Sequence, residues 1–308
     1  MVPKGDVMEW LLLSVLSTLS FSAYTILQKL TFQRYLGNVF AYAFLGAVLH
    51  LSIAVVILLL DPVRIPWTSG PFLTILTAGL IHGCFTLMMF TVVQREPEVT
   101  RVMPVIDTYP IFVAVMAVLF LGEAFTVPTF LAVGLVVGGA LVASWHRGLP
   151  GERIKQARTL LIMIGVSFCI GVYTILSKYA LSGLDIWQAY ALSSIASAPV
   201  FALAVHHFRA WPDVRRALAQ PKVVAIAASG HFMLFLAFIV GLLAFTMGPV
   251  TLSSAVMASR PLVVLGYVAV INVAFPNLMT ERLMGSGFLR KGLAAAMVTA
   301  GVGAMAFV

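Results

Sequence analysis

Two ionisable side chains sit deep inside runs that are otherwise apolar. Asp107 lies eight residues beyond Val99 in one run and Arg260 nine beyond Thr251 in another; eight residues of helix is roughly 12 Å. Two chemistries are open to them. A planar guanidinium matches a carboxylate or phosphate with paired hydrogen bonds, and a carboxylate at such depth suits an amine or a proton in transit. Alternatively, Asp107 and Arg260 neutralise each other as a structural ion pair. His82 and His231 also fall in mid-run, and histidine is the side chain most readily retuned near neutral pH. Each reads either as a packing residue or, with Tyr24, Tyr109 and Tyr173, as the lining of a cavity that offers hydrogen bonds and aromatic faces to a small organic solute. Pro104, Pro110 and Pro261 withhold helix hydrogen bonds and would kink their helices, freeing carbonyls toward such a cavity.

The elements that position these residues are membrane spans. Of 308 residues 61% are hydrophobic and 10% charged, whereas soluble domains are about half apolar and about a quarter charged. Apolar runs of the length that crosses a bilayer, about 20 residues, recur near 10–31, 39–60, 72–93, 99–121, 128–145, 159–181, 186–208, 223–246, 251–275 and 291–308. The fold class expected is an all-α membrane protein of ten transmembrane helices. The runs are apolar on every face, unlike the alternating strands of a β-barrel. The net charge of +8 sits in short connectors, which reads as a topology signal and not as a nucleic-acid surface. The first run is too long for a signal-peptide core and is expected to remain as a span. Cys84 and Cys169 fall inside apolar runs and point to neither disulfide nor metal.

The chain repeats itself. The heptad AYTILQK, ending at Lys29, returns as VYTILSK, ending at Lys178; Ala41-Tyr42-Ala43 returns as Ala189-Tyr190-Ala191; and His82 answers His231. Two five-span units follow, residues 1–150 and 151–308, joined at the basic connector HRGLPGERIKQAR. An odd number of spans per unit turns the second copy upside down. Positive charge indeed changes sides between corresponding connectors: fourteen bases collect on one side of the array, against Lys4 and Arg64 on the other. The positive-inside rule then places both termini outside the cytoplasm. Lys29 and Lys178 would end at opposite mouths of the array, either snorkelling to headgroups or acting as symmetry-related gate contacts.

The segment PIFVAVMAVLFLGEAFTVPTFLAVGLVVG, Pro110 to Gly138, carries a mid-span proline, a Gly-Glu at the end of that helix, and then a glycine-rich helix. It resembles the EamA-type members of the drug/metabolite transporter superfamily. The second half resembles them more loosely, through Pro261 and Glu281-Arg282-Leu283; Pro261 to Glu281 is 20 residues where Pro110 to Glu123 is 13, and the second Glu lacks its Gly. The resemblance implies a ten-helix inverted-repeat carrier in the cell (plasma or inner) membrane. Such carriers move small metabolites such as amino acids, often outward, through a central cavity between the halves.

Aligning Pro110 with Pro261 sets Tyr109 opposite Arg260, so acid and base occupy neighbouring positions of matched helices. Interruptions at corresponding positions of two halves mark the binding site of a carrier. The expected function is secondary transport by alternating access, with the bilayer and a small solute as partners, a coupling proton as an option, and no cofactor or metal. Neither GxxxxGK[ST] for a nucleotide-driven pump nor HExxH, GxSxG or paired intramembrane aspartates for an intramembrane enzyme occurs. A non-transporting receptor or scaffold fits the spans but leaves the duplicated polar set without a task. Gly134, Gly138, Gly139, Gly292, Gly301 and Gly303 suit close helix packing within the chain, or between two copies, and leave monomer or homodimer open. Glu123 and Glu281 read as helix-end capping residues.

Overall fold

The computed structural model describes residues 7–95, 99–123, 126–144 and 153–275, with 293, 294, 296, 297, 300, 301 and 304. The described residues are mostly helical, with no strand among them. The helices are α1 (Val7–Arg34), α2 (Val39–Leu60), α3 (Gly70–Arg95), α4 (Val99–Ile106), α5 (Tyr109–Met116), α6 (Val127–Ser144), α7 (Arg153–Ala180), α8 (Ile186–His207), α9 (Trp211–Leu218), α10 (Pro221–Met247), α11 (Val250–Met257) and α12 (Arg260–Ala274). Eight spans, counting α4–α5 and α11–α12 as one each, are long and apolar enough to cross a membrane, and the apolar Val127–Gly139 is shorter. The chain is an integral, multi-pass membrane protein. The tenth expected span lies mostly outside the described residues, as do Glu281, Arg282, Leu283, Gly292 and Gly303; the residues of it that are described are helical.

The fourth and ninth spans are not kinked helices but broken ones. Pro110 has no N–H to give the Ile106 carbonyl and Pro261 none to give Met257, so each helix closes with short turns and restarts. Asp107 N–H still donates to Met103 O (2.7 Å) and Ala258 N–H to Ser254 O (2.9 Å); then Thr108 reaches Val105 O and Ser259 reaches Val256 O, and new helices begin at Tyr109 and Arg260. Pro104 lies inside α4, near its end. The α4–α5 span finishes in a π-helical turn, Ala117–Leu121, and stops at Gly122, whose φ of 65° is left-handed backbone that glycine adopts without strain. That turn delivers Glu123 to the start of α11, where its Oε1 accepts the Val250 N–H at 2.8 Å. A carboxylate at a helix N-terminus is stabilised by the orphan donors and the dipole there. The expected capping role of Glu123 thus reaches across from one half of the chain to the other.

Helix packing is reciprocal between the halves. The first span lies along α10 as the third lies along α7, α2 meets α8, and α5 packs on α7 as α12 packs on α1. Buried hydroxyls join backbones where the helices approach: Ser17 donates to Ala237 O on α10 (2.9 Å), and Thr18 reaches Val256 O on α11 (3.4 Å).

Lys29 and Lys178 correct the snorkelling expectation. Lys29 is 2% exposed and donates to Val93 O at 2.8 Å, near the end of α3. Lys178 is partly buried and donates to Phe245 O and, at 3.3 Å, to Gly248 O at the end of α10. In each half the lysine of the first helix therefore caps the C-terminus of the third. The physical reason is that unpaired carbonyls at the negative end of a helix dipole lie closer to each ammonium than headgroups do.

A connector folded where the sequence reads only basic charge. Residues 211–218 form the short helix α9, led by Trp211-Pro212 and packed against α2 and α10, with Trp211 edge-on to Phe44 (5.1 Å) and Asp213 accepting from Asn38 Nδ2 (2.7 Å). Outside the spans, Asp185 caps α8 by accepting the Trp187 and Gln188 N–H groups (2.7 and 2.9 Å). A hydrogen bond shared with Asp185 raises the neighbouring Asp61 carboxyl above the usual carboxylate range, while Gln188 donates to the Asp61 Oδ2 at 3.2 Å.

Candidate functional site

The two breaks face each other inside the bundle. Asp107 is in the gap between α4 and α5, and Arg260 is the first residue of α12, so each stands at a helix break. The guanidinium grips the carboxylate with two hydrogen bonds, Nε to Oδ2 at 3.0 Å and Nη2 to Oδ1. Asp107 is 1% and Arg260 11% exposed at the side chain. The ion-pair reading is therefore realised in this conformation. The pair also bridges the halves, and Tyr109, the first residue of α5, extends the bridge by donating from its hydroxyl to Ser254 O on α11 (3.2 Å). The Arg260 guanidinium lies over the Phe21 ring, 5.9 Å from its centre, a cation–π contact that holds the fork while leaving its edge to anions.

A cavity of about 100 Å³ opens beside the pair. Tyr24, His82, Asp107, Tyr109, Tyr173 and Arg260 all line it, together with apolar walls that include Phe21, Phe85 and Phe238. Six of the seven residues read from the sequence as cavity residues thus share one space. His82 stands in an aromatic frame, its ring 5.2 Å from Phe238 and 5.5 Å from Tyr173. Pro110 and Pro261 set the backbone breaks, Pro104 lies inside α4, and none of the three is among the lining residues.

The seventh, His231, lines a second, smaller cavity of about 30 Å³ between α2, α3, α8 and α10, which shares His82 and Tyr173 with the first. Its ring packs against Tyr42 at 4.7 Å and is wedged on the α2 backbone at Gly46, where a Cβ would come within 2.0 Å of the imidazole Cε1. His50, Tyr190, Ser193, Ser194 and Ser197 complete this wall. The repeat comparison passed over these residues. His50 has no counterpart in the second half, where Ala198 takes its place, and serines within a span carry no charge to single them out. Only the Ala-Tyr-Ala words gave a signal, since Tyr42 and Tyr190 each touch one of the chamber's histidines.

Among the described residues no group of three His, Cys, Asp or Glu is poised to hold a metal. The site can bind an anion at Arg260, hold apolar or aromatic surface, and exchange hydrogen bonds. It holds no nucleophile paired with a base.

Residues 8–145 match the EamA-like transporter family. No curated protein matches the sequence. Solved structures do match the fold; one, described only as a crystal structure of a protein, is similar with a TM-score of 0.66 at 16% identity, covering 96% of this chain and 95% of its own. That likeness extends the fold comparison over the half that the family match leaves out.

Proposed function

From the premise that residues 8–145 belong to the EamA-like transporter family, within the drug/metabolite transporter superfamily, we propose that this membrane transporter is a secondary carrier of small organic acids or amino-acid-like solutes. Its spans form two inverted five-helix units, 1–150 and 151–308, with ten spans in all. It works by alternating access in the cell membrane and exports its solute, with basic connectors on the cytoplasmic side. Reciprocal packing of α1 on α10 and α3 on α7 supports the paired units, and the charge asymmetry of the connectors supports their inversion.

The observation that carries the reading is the Asp107–Arg260 pair at the meeting point of two broken spans, on the wall of the main cavity. A solute carboxylate can take the fork of Arg260 only by displacing Asp107, so binding and the contact between halves are in competition. That competition is what a carrier needs: occupancy changes the relative energy of closed and open arrangements. Once displaced, Asp107 is an uncompensated buried carboxylate, which the solute's amine or a proton then neutralises.

Counterflow in proteoliposomes, across a panel of amino acids and small carboxylates, tests the function. The reading predicts exchange of at least one carboxylate-bearing solute, abolished in Arg260→Gln. Equal exchange in the two proteins would contradict the site, and movement of none of the panel would contradict the substrate class.

A further inference from the structure

The geometry points to the histidine chamber as a second subsite that receives an uncharged hydroxyl of the solute, so that the preferred solute is an aromatic acid bearing a phenolic hydroxyl. The inference rests on the carrier reading and on a carboxylate bound at Arg260.

The chamber contains polar atoms with nothing to bond. His231 is 3% exposed, and its ring has no side-chain partner, reaching only the Tyr42 backbone of α2; His50 engages the Tyr190 hydroxyl through Nδ1, while its Nε2 has no partner. Buried polar groups are nearly always paired, because leaving them bare forfeits their hydration. The two rings are 5.4 Å apart and lie on different helices, α2 and α10. The wedge of His231 at Gly46 fixes its ring, so it cannot turn away to find a partner elsewhere.

Charge selects the class of guest. The titratable groups around these rings are Tyr24 on α1, Tyr42 and His50 on α2, His82 on α3, Tyr173 on α7 and Tyr190 on α8. No Asp, Glu, Lys or Arg is among the residues lining the chamber. An ionic guest would enter unpaired in the middle of a bundle, which is costly. Neutral imidazoles each present one donor and one acceptor, and the complementary guest also donates once and accepts. Size narrows it further: this is the smaller of the two spaces, about 30 Å³ against about 100 Å³, so it suits the small polar end of a solute and not its ring.

The remainder of the solute fits the first cavity. His82 and Tyr173 line both spaces, so they adjoin, and the first is walled by Phe21, Phe85 and Phe238 with Arg260 at one side. A carboxylate at Arg260, a ring among the phenylalanines and a hydroxyl between His50 and His231 satisfies each wall with the chemistry that it offers.

The test is the affinity of the purified full chain for p-hydroxyphenylpropionate against phenylpropionate, two acids that differ by that hydroxyl. The inference predicts tighter binding of the hydroxylated acid, on the order of tenfold, with the ratio falling to about one in His231→Phe. His50→Phe leaves the wedge at Gly46 untouched and predicts the same fall if His231→Phe does not fold. Equal affinities in the unsubstituted protein, or a ratio unchanged by either variant, would overturn the inference alone and leave the chamber to water. Binding of neither acid would overturn the acid site at Arg260, and the subsite with it.

Discussion

Arg260 and Asp107 each protect the other from an interior that neither tolerates alone. Removing one member of a buried pair costs about 3–5 kcal/mol because the other charge is stranded. Arg260→Gln and Asp107→Asn are each expected to lower the thermal midpoint in detergent, and the double variant to recover much of the loss; additive losses would show that the pair is not a unit. The two differ in function, since Arg260 holds the solute's carboxylate while Asp107 takes its amine or a proton. Loss of Arg260 should weaken acid binding by about tenfold to a hundredfold, the worth of a charge-assisted hydrogen bond. This pair was legible in the sequence, because a charge within an apolar run is conspicuous. His50 was not: it lies in the apolar second span with no counterpart in the repeat, and its role arises only where four helices converge. Asp61 offers a separate pH-dependent signal. Its carboxyl is raised above the ordinary range by Asp185, so the folded protein holds that proton more tightly than the unfolded chain does. Its contribution is complete below the ordinary carboxylate value and fades as pH rises through the raised one. Asp61→Asn should flatten that part of the stability–pH profile; an unchanged profile would remove Asp61 from it.

The broken spans are the elements on which the site depends. Matched prolines marked where α4–α5 and α11–α12 would be interrupted, but they predicted bends, and the outcome is complete helix ends with the ionic groups at the gaps. The difference lies in the neighbours: Thr108 finds Val105 O and the Ser167 hydroxyl (2.8 and 3.0 Å), and the opposed break accepts the Tyr109 hydroxyl at Ser254 O. Ser167 and the Tyr109–Ser254 contact involve other helices, so no local pattern announces them. Pro261→Ala gives the Met257 carbonyl an N–H and lets α11 and α12 run on, with Arg260 turned from its place. Solute binding and, with Asp107 left unpaired, the thermal midpoint should fall together as in Arg260→Gln; a lower midpoint with binding unchanged would mean that the proline only supports packing. Gly46 is the second test at this scale. In Gly46→Ala the new Cβ meets the His231 ring at 2.0 Å, an overpacking cost of about 1–3 kcal/mol, and His231→Ala in the same chain should relieve it. No interaction between the two substitutions would contradict the wedge.

Across the described residues packing is reciprocal, α1 on α10 as α3 on α7 and α5 on α7 as α12 on α1, around a central space. Length and apolarity set the spans closely, since the bilayer imposes them, and the heptads, Ala-Tyr-Ala words and matched prolines are the signal on which the proposed repeat rests. The lysines ending the heptads were legible as a pair but not in their task, because a C-terminal cap depends on which helix end lies alongside. Helix α9 was missed for a different reason: eight residues with alternating charge show no span, and its fold comes from Trp211 and Asp213 docking on α2 and its flank. The central claim is that one cavity faces each side of the membrane in turn. Thr174 lines that cavity. With Cys84 and Cys169 replaced by serine, a cysteine at Thr174 in right-side-out and inverted vesicles can be challenged with a membrane-impermeant maleimide. The account predicts labelling from either face, slowed by a transported acid. Labelling confined to one face, with or without solute, would contradict it.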